Sequence, residues 1–172
     1  MRIVRGRWAG RDLVSPPDRR VRPTAEHVRD AWLTLLEPLL PGARVLDLFA
    51  GTGALGLEAL SRGAKTADFV ETRPASLHAL RANVAALRVR EKTRIFKKDA
   101  LPFAAALQEG SYDLAFADPP YQSRQLDRLI ETWLRTPFAA VLAVEHAHDH
   151  ALPPGGERHP FDEPADTVYR AG

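Results

Sequence analysis

The chain has 172 residues, of which 45% are apolar and 27% charged, so it can form one folded domain and is not a disordered chain. The absence of cysteine excludes disulfide bonds, thiolate zinc sites and catalysis by a cysteine nucleophile. Arginines interrupt the N-terminus before a signal-peptide core can form, and no apolar stretch reaches the roughly 20 residues of a spanning helix. We therefore expect a cytoplasmic monomer that makes no contact with a membrane.

The formal net charge of +2 is unevenly distributed along the chain. Residues 1–29 hold eight arginines against Asp12, Asp18 and Glu26, a balance of +5, which leaves −3 for the other 143 residues. A basic segment at one end of a chain is typical of binding to a polyanion. The alternative is a solvated segment in an arginine-biased protein, since arginine outnumbers lysine 20 to 4 overall.

The first 40 residues predict an appendage rather than part of a sheet. Residues 2–6 and 11–14 can pair as a short hairpin, which an irregular stretch with several prolines follows. Thr24 is a candidate cap for a helix with an apolar face that runs to about Leu40. We divide the chain into a basic, substrate-facing N-terminal extension, residues 1–40, and a main domain, residues 41–172.

Strands and helices alternate from residue 44 onward. The predicted strands are 44–49, 67–71, 94–98, 112–117 and 138–145, and the predicted helices are 54–62, 75–89, 101–108 and 125–135. With a final hairpin in the tail, this pattern predicts an α/β fold with a doubly wound, mostly parallel sheet of seven strands. Ligands of such sheets bind at the carboxyl ends of the strands, where the strand order reverses. We therefore expect functional residues just after strands.

The first strand is followed by a glycine-rich turn, Ala50 to Gly56, that matches the pattern G-x-G-x-x-G. Such glycines let the backbone approach a ligand, and the next helix offers free amides, in dinucleotide and S-adenosylmethionine sites alike. Asp47 favours S-adenosylmethionine, because a carboxylate four residues before Gly51 would repel a pyrophosphate but pair with an ammonium group. A nicotinamide cofactor and a purely structural turn are the alternatives.

Two more acidic residues follow neighbouring strands. Glu71, 20 residues past Gly51, is placed to bind ribose hydroxyls. Asp99 is placed to accept a hydrogen bond from an adenine amino group, or else is a solvated acid or a helix N-cap. The predicted cofactor contacts are Asp47, Phe49, Ala50, Gly51, Thr52, Gly53, Glu71, Thr72, Asp99 and Ala100.

The fourth strand ends in Asp118, Pro119, Pro120 and Tyr121. Two prolines fix φ and remove two backbone donors, so the turn offers only acceptors. Acceptors suit a planar amino group, whose hydrogens Asp118 and a carbonyl would hold while Tyr121 stacks on the base. We predict these four residues to be catalytic, with a strand terminator and a surface tyrosine as the alternative.

Four segments together resemble the bacterial small-subunit ribosomal RNA guanine-N2 methyltransferases over almost the full length. They are Met1-Arg2-Ile3-Val4 with Gly6 and Gly10-Arg11, then Arg22-Pro23-Thr24 with Val28-Arg29, then Leu46 to Arg62, and finally Asp118 to Tyr121. The resemblance implies a Rossmann-like class I methyltransferase that moves a methyl group from S-adenosylmethionine to the exocyclic N2 of a guanine. The implied partner is ribosomal RNA or the small ribosomal subunit.

The resemblance also implies roles for individual residues. Asp118 to Tyr121 would hold the guanine amino group, while Arg22 and Thr24 would face the RNA or close over the site. With the basic charge of the extension, the expected substrate contacts are Arg5, Arg7, Arg11, Arg22, Thr24 and Arg29. The sequence departs from the family at Thr72 and Arg73, where an aspartate is frequent, and in its short acidic tail.

Other functions are compatible with the same motifs. An amino-methyltransferase of DNA adenine or protein glutamine would use a similar acceptor turn. A catalytically silent RNA-binding module or a nicotinamide-dependent oxidoreductase would share the sheet.

Histidines and tryptophans invite separate interpretations. His146, His148 and His150 with Asp149 could form a metal site, but we expect a solvent-exposed loop and no metal. Trp32 and Trp133 lie in apolar helical stripes and should be core residues. Trp8, between two arginines, could instead stack on a base.

Overall fold

The computed structural model describes residues 1–16, 26–119, 124–147, 150–160 and 165–171. Its strands form one seven-stranded sheet. They are β1 (Arg44–Leu48), β2 (Thr66–Val70), β3 (Thr93–Phe96), β4 (Tyr112–Ala117), β5 (Ala139–His146), β6 (Glu157–Pro160) and β7 (Ala165–Arg170). The helices are α1 (Glu26–Leu35), α2 (Ala54–Ser61), α3 (Pro74–Leu87), α4 (Ala100–Ala105) and α5 (Gln125–Arg135), with 3₁₀ turns at Glu37–Leu39 and Arg90–Lys92.

The strand order β3-β2-β1-β4-β5-β7-β6 confirms the predicted doubly wound sheet. Strands β1 to β5 pair in parallel, and β7 pairs antiparallel with both β5 and β6. Leu48, the last residue of β1, is the register partner of Val70 in β2 and of Ala117 in β4. The chain moves outward from β1 and returns on its other side at β4, so the order reverses between these two strands.

Both faces of the sheet are covered by helices. Leu114 and Phe116 of β4 belong to a buried cluster with residues of α1, α2 and α3. Ala115 and Ala117 belong to a second cluster with residues of α4 and α5. Because successive side chains point to opposite faces, a strand covered on both sides must be apolar where it is covered, as β4 is from Leu114 to Ala117.

The helix predicted from Thr24 to Leu40 is shorter in the structure. Helix α1 ends at Leu35, and the chain continues as a 3₁₀ turn, Glu37–Leu39. Pro38 explains the break, because it has no amide hydrogen to donate to the carbonyl four residues earlier. Thr24 lies outside the described residues, whereas the other predicted helices and the five strands from 44 to 145 agree with the structure to within three residues.

The N-terminal arm, defined here as residues 1–16, packs on the helical layer. Its two halves run antiparallel, with hydrogen bonds from the Ile3 amide to the Arg11 carbonyl (2.9 Å) and from the Gly10 amide to the Ile3 carbonyl (2.8 Å). A single bridge, Arg2 to Asp12, replaces the longer hairpin that the sequence predicts. Ile3 and Leu13 join the buried cluster of α1 to α3, so part of the arm belongs to the core.

Candidate functional site

The reversal point of the sheet brings three carboxylates close together. Asp47 in β1 is 1% exposed, Glu71 directly follows β2, and Asp118 directly follows β4. Burial raises the pKa of the Asp47 carboxyl well above its ordinary value, a hydrogen bond from Gly56 opposes this shift, and the charges of Asp118 and Glu71 raise the pKa further. This edge therefore concentrates negative charge where water screens it poorly, which favours a positively charged ligand.

Asp47 also fixes the start of α2. Its Oδ2 accepts a hydrogen bond from the Gly56 amide at 3.0 Å, which satisfies one of the free donors in the first turn of the helix. A Cβ atom at Gly56 would lie 2.5 Å from Cε1 of Phe69 in β2. The third glycine of the motif thus allows helix α2 to pack closely on the sheet.

The glycine turn itself has an unusual backbone. Phe49, Gly51 and Gly53 adopt positive φ angles of 57°, 58° and 83°. The Gly53 amide donates to the Ala50 carbonyl at 2.9 Å and the Ala50 amide to the Val70 carbonyl at 3.0 Å, which tie the turn to itself and to β2. A Cβ atom at Gly51 would have no neighbour within 4 Å, so the turn is open on this side.

Glu71 joins the turn to the start of α3. Its Oε1 accepts from the Gly51 amide at 2.8 Å, and its Oε2 accepts from the amides of Thr72 at 2.8 Å and Arg73 at 2.9 Å. Oε1 has a second lone pair, so it is chemically able to accept a ligand hydroxyl as well. The predicted ribose contact is compatible with this placement and stays a prediction.

The other predicted cofactor residues lie along the same edge. Asp99 occupies the N-cap position of α4, but its exposed carboxylate makes no capping hydrogen bond. Thr52 and Ala100 are buried, and Thr72 is exposed. The structure thus brings the predicted cofactor set to the ends of β1, β2 and β3, and the roles toward a ligand stay predictions.

Only part of the predicted catalytic turn can be described. Asp118 is half-buried and Pro119 is buried, whereas Pro120 and Tyr121 lie outside the described residues. Behind Asp118, Phe116 packs edge-on against Trp32 of α1, with ring centroids 5.3 Å apart. Trp32 and Trp133 are buried, which confirms their assignment to the core.

Asn83, which lies in α3 and is 1% exposed, was not among the predicted site residues. Its Nδ2 donates to the carbonyls of Val14 and Thr52, each at 3.0 Å, and its Oδ1 accepts from the Val14 amide at 2.6 Å. One side chain therefore connects the arm to the glycine turn. The available signal was a lone asparagine within the apolar pattern of a helix.

A buried ionic cluster docks the arm on α2. The Glu58 carboxylate accepts hydrogen bonds from the amides of Val4 (2.8 Å) and Arg5 (2.9 Å). It also pairs with the guanidinium groups of Arg29 at 3.5 Å and Arg62 at 3.0 Å, whose side chains are almost fully buried. Glu58 thus pairs with two buried cations, of which Arg62 also pairs with Asp30, and it holds the arm backbone.

This cluster changes the interpretation of two predicted substrate contacts. The Arg29 guanidinium is buried and donates to the Arg2 carbonyl, so Arg29 does not reach the surface that was predicted for it. Arg5 is exposed but forms a 2.6 Å ion pair with Asp30. Both arginines serve to hold the arm in place, because each neutralises an acidic residue of the protein itself.

Two predicted contacts do lie on the surface of the arm. Arg7 lies over the ring of Trp8 at 5.7 Å from its centroid, and the Arg11 guanidinium donates to the Ala86 carbonyl of α3 at 2.9 Å. Trp8 is half-buried and packs against the core cluster. Arg22 and Thr24 lie outside the described residues.

His146 does not lie in the exposed loop that the sequence predicts for it. His146 is 2% exposed at the end of β5, with Nε2 at 2.7 Å from Thr167 Oγ1. His150 instead pairs with Asp127 of α5 at 2.9 Å, while His148 and Asp149 lie outside the described residues. No group of three potential metal ligands occurs among the residues that the structure describes, and no helix in that part of the chain is long and apolar enough to cross a membrane.

Similar proteins were found at the level of family, sequence and structure. The family described as Conserved hypothetical protein 95 matches residues 1–158. The Escherichia coli (strain K12) protein named Ribosomal RNA small subunit methyltransferase D is 36% identical over 159 residues, which cover 89% of this chain and 78% of that protein.

Two solved structures match almost the whole chain. A hypothetical protein of Thermus thermophilus has a TM-score of 0.85 at 32% identity, and the match covers 99% of both chains. The protein yhhF of Escherichia coli has a TM-score of 0.84 at 31% identity, and the match covers 99% of this chain and 97% of that one. The seven-stranded sheet is thus a class I methyltransferase-like fold, as predicted.

Proposed function

Because the chain belongs to the family described as Conserved hypothetical protein 95, we propose that it is an S-adenosylmethionine-dependent methyltransferase of small-subunit ribosomal RNA, with the exocyclic N2 of a guanine as its target. The name of the Escherichia coli relative supports the ribosomal RNA substrate. The observation that carries the cofactor assignment is the buried Asp47 carboxylate with two further carboxylates beside it. The Gly51 to Gly53 turn also supports the cofactor, and the motif Asp118 to Tyr121 supports the amino-group target.

The residues present fit this cofactor better than a dinucleotide. S-adenosylmethionine has an ammonium group and a sulfonium, so two positive charges would face Asp47, Glu71 and Asp118. A pyrophosphate would instead bring like charge to the same three carboxylates. The open side of Gly51 leaves room for the cofactor to approach the backbone of the turn closely. The exposed Asp99 carboxylate would accept a hydrogen bond from the adenine amino group.

When bound, the cofactor would supply an electrophilic methyl group on its sulfonium. Asp118 would accept a hydrogen bond from the guanine amino group and hold the nitrogen in line with that methyl. Pro119 cannot donate a backbone hydrogen bond there, so the turn does not compete for the nitrogen lone pair. After transfer, the amino proton would leave to the Asp118 carboxylate or to solvent.

The target base must leave its stack before it can reach this turn. Tyr121 would then stack on the extracted base, a contact worth roughly 1–3 kcal/mol. Arg7 and Arg11, which the structure places on the exposed side of the arm, would contact RNA phosphates. We further propose that the protein acts as a cytoplasmic monomer.

Methyl transfer from labelled S-adenosylmethionine tests this function directly. The acceptors are unmodified small ribosomal subunits, naked small-subunit RNA, DNA and total protein, each followed by nucleoside or residue analysis. We expect N2-methylguanosine in the RNA. Label found only in DNA adenine or protein glutamine would show that the substrate is not RNA. Absence of cofactor binding would contradict the assignment as a methyltransferase.

A variant of the acceptor turn tests the mechanism. Asp118→Asn should abolish turnover and leave S-adenosylhomocysteine binding within about threefold of the wild type. Asp113→Asn, on the same strand but at its other end, is the matched control and should keep full activity. Full activity in the Asp118 variant would remove this carboxylate from the mechanism.

A further inference from the structure

Helix α3 exposes a face on which no acidic residue occurs. The helix runs from Pro74 to Leu87, and its only charged or titratable side chains are His78 and Arg81, both exposed. Exposed Arg73 directly precedes the helix, and exposed Arg88 directly follows it. A surface helix usually carries charges of both signs, so this composition requires an explanation.

The three arginines are arranged along the length of the helix. Arg81 lies within α3, and Arg88, which follows seven positions later, ends the helix as its C-cap residue, roughly 10 Å further along the axis. Arg73 is about 22 Å from Arg88 by the same measure, and it lies next to the cofactor site because its amide binds Glu71 Oε2 at 2.9 Å. The row therefore begins at the functional edge and leads away from it.

The N-terminal arm adds another cation to this row. The Arg11 guanidinium donates to the Ala86 carbonyl, in the last turn of α3 between Arg81 and Arg88. Asn83 holds the arm against the same helix through its two hydrogen bonds with Val14. Arm and helix thus form one continuous basic surface.

These arginines differ in pairing from several others in the chain. Arg44, Arg62 and Arg94 form ion pairs with Asp113, Asp30 and Asp68. In contrast, Arg73, Arg81 and Arg88 form no ion pair with any residue that the structure describes. Of the acids nearest to the row in sequence, Asp12 and Glu91 are exposed, and Glu71 accepts a hydrogen bond from the Arg73 amide. The row is therefore open to an external polyanion.

We propose that Arg11, Arg73, Arg81 and Arg88 form a track for the phosphate backbone of the RNA substrate. This inference rests on the proposed function and extends it from the arm to a helix that the sequence analysis did not connect with RNA. Contacts of this type position the nucleic acid without reading its bases. The track would hold RNA flanking the target while Asp118 orients the base itself.

The test compares two double variants for binding to naked small-subunit RNA over a range of salt. Arg81→Gln with Arg88→Gln removes two cations from the track. Arg128→Gln with Arg135→Gln removes two exposed cations from α5, on the opposite face of the sheet, and is the matched control. Each lost phosphate contact should reduce the slope of log K against log salt by about 0.7–0.9, so we expect a reduction near ~1.5 in the track variant only.

Methylation kinetics separate this proposal from the proposed function. The track variant should raise KM for RNA at least fivefold with kcat and S-adenosylhomocysteine affinity unchanged, and Arg81→Lys with Arg88→Lys should restore binding. If the wild type is active and the track variant keeps its RNA affinity and salt slope, the track is contradicted and the proposed function is not. A wild type that binds and methylates no ribosomal RNA would contradict the proposed function and the track that rests on it.

Discussion

The side-chain amide of Asn83 donates a hydrogen bond to the Thr52 carbonyl at 3.0 Å, so helix α3 holds the glycine turn through a single carboxamide. The same amide nitrogen donates to Val14, which belongs to the N-terminal arm. The N-terminal arm and the glycine turn are thus connected by one buried side chain.

Removal of this carboxamide should weaken cofactor binding. Asn83→Ala leaves the buried Thr52 carbonyl and the partly buried backbone groups of Val14 without their partner, which should cost about 1–3 kcal/mol in the free energy of unfolding. Because the glycine turn loses its hydrogen bond to helix α3, the affinity for S-adenosylhomocysteine should fall by about tenfold. Chemical denaturation and titration calorimetry measure the two effects.

Ser61→Ala is the control for this prediction. The Ser61 hydroxyl donates to the Arg5 carbonyl and accepts from the Trp8 amide, so this variant also loosens the arm without contacting the turn. It should lower stability and leave cofactor affinity unchanged. Equal losses of affinity in both variants would mean that Asn83 acts only by docking the arm.

Asp47 should make cofactor binding dependent on pH. Its raised pKa favours the protonated form in the folded protein, so its contribution to stability is full below the ordinary pKa and is lost as pH rises through the folded value. An ammonium ligand favours the charged form, and binding should therefore release a proton. S-adenosylhomocysteine affinity should decrease as pH falls below the folded pKa of Asp47.

Asp47→Asn provides the comparison for the pH series. Calorimetry in two buffers with different ionisation enthalpies counts the protons released. The variant should bind more weakly at neutral pH, show no such proton release and be at least as stable as the wild type, because its neutral amide replaces a carboxyl group whose charged form is disfavoured by burial. A wild type whose affinity is flat with pH would exclude Asp47 as the ammonium partner.

Two glycines of the motif should respond differently to alanine. Gly51→Ala places a methyl group on the open side of the turn at a φ of 58°, so we expect a loss of about 1–2 kcal/mol in stability and a much larger loss of cofactor affinity. Gly56→Ala instead overlaps the Phe69 ring, which should lower stability by about 1–3 kcal/mol, partly offset by roughly 1 kcal/mol of helix propensity. Thermal unfolding with and without S-adenosylhomocysteine distinguishes the loss of stability from the loss of cofactor affinity in each variant. Equal stabilisation of both variants by the ligand would contradict the assignment of Gly51 to the cofactor site.

The Glu58 cluster should dominate the stability of the extension. Glu58→Gln leaves the buried Arg29 guanidinium without its carboxylate partner, whereas Arg62 keeps its ion pair with Asp30, and the loss should cost about 3–5 kcal/mol. Asp113→Asn breaks the exposed pair with Arg44 and should cost only about 0–1 kcal/mol. Urea unfolding measures both, and a loss below about 1 kcal/mol for the Glu58 variant would show that the cluster relaxes when it loses its anion.

Local pattern was sufficient to predict the sheet and the edge that carries the site. Apolar strands such as Tyr112–Ala117 and the glycine turn after β1 are encoded by neighbouring residues, and parallel strands must bring their carboxyl ends to one edge. Asp47, Glu71 and Asp118 could therefore be assigned to one site before any contact between them was known. His146 shows the opposite case, because its burial depends on β7, which pairs with β5 from a distant part of the chain.

The order of the elements, the carboxylates at the functional edge and the excess of arginine near the N-terminus all follow from the sequence alone. Which of the arginines are available to a partner depends on the folded chain. Arg29 is neutralised by Glu58, 29 positions away, whereas Arg81 and Arg88 are exposed on a helix that the sequence pattern did not single out. The physical reason is that charge is a property of a residue, while desolvation and pairing depend on neighbours that only folding brings together.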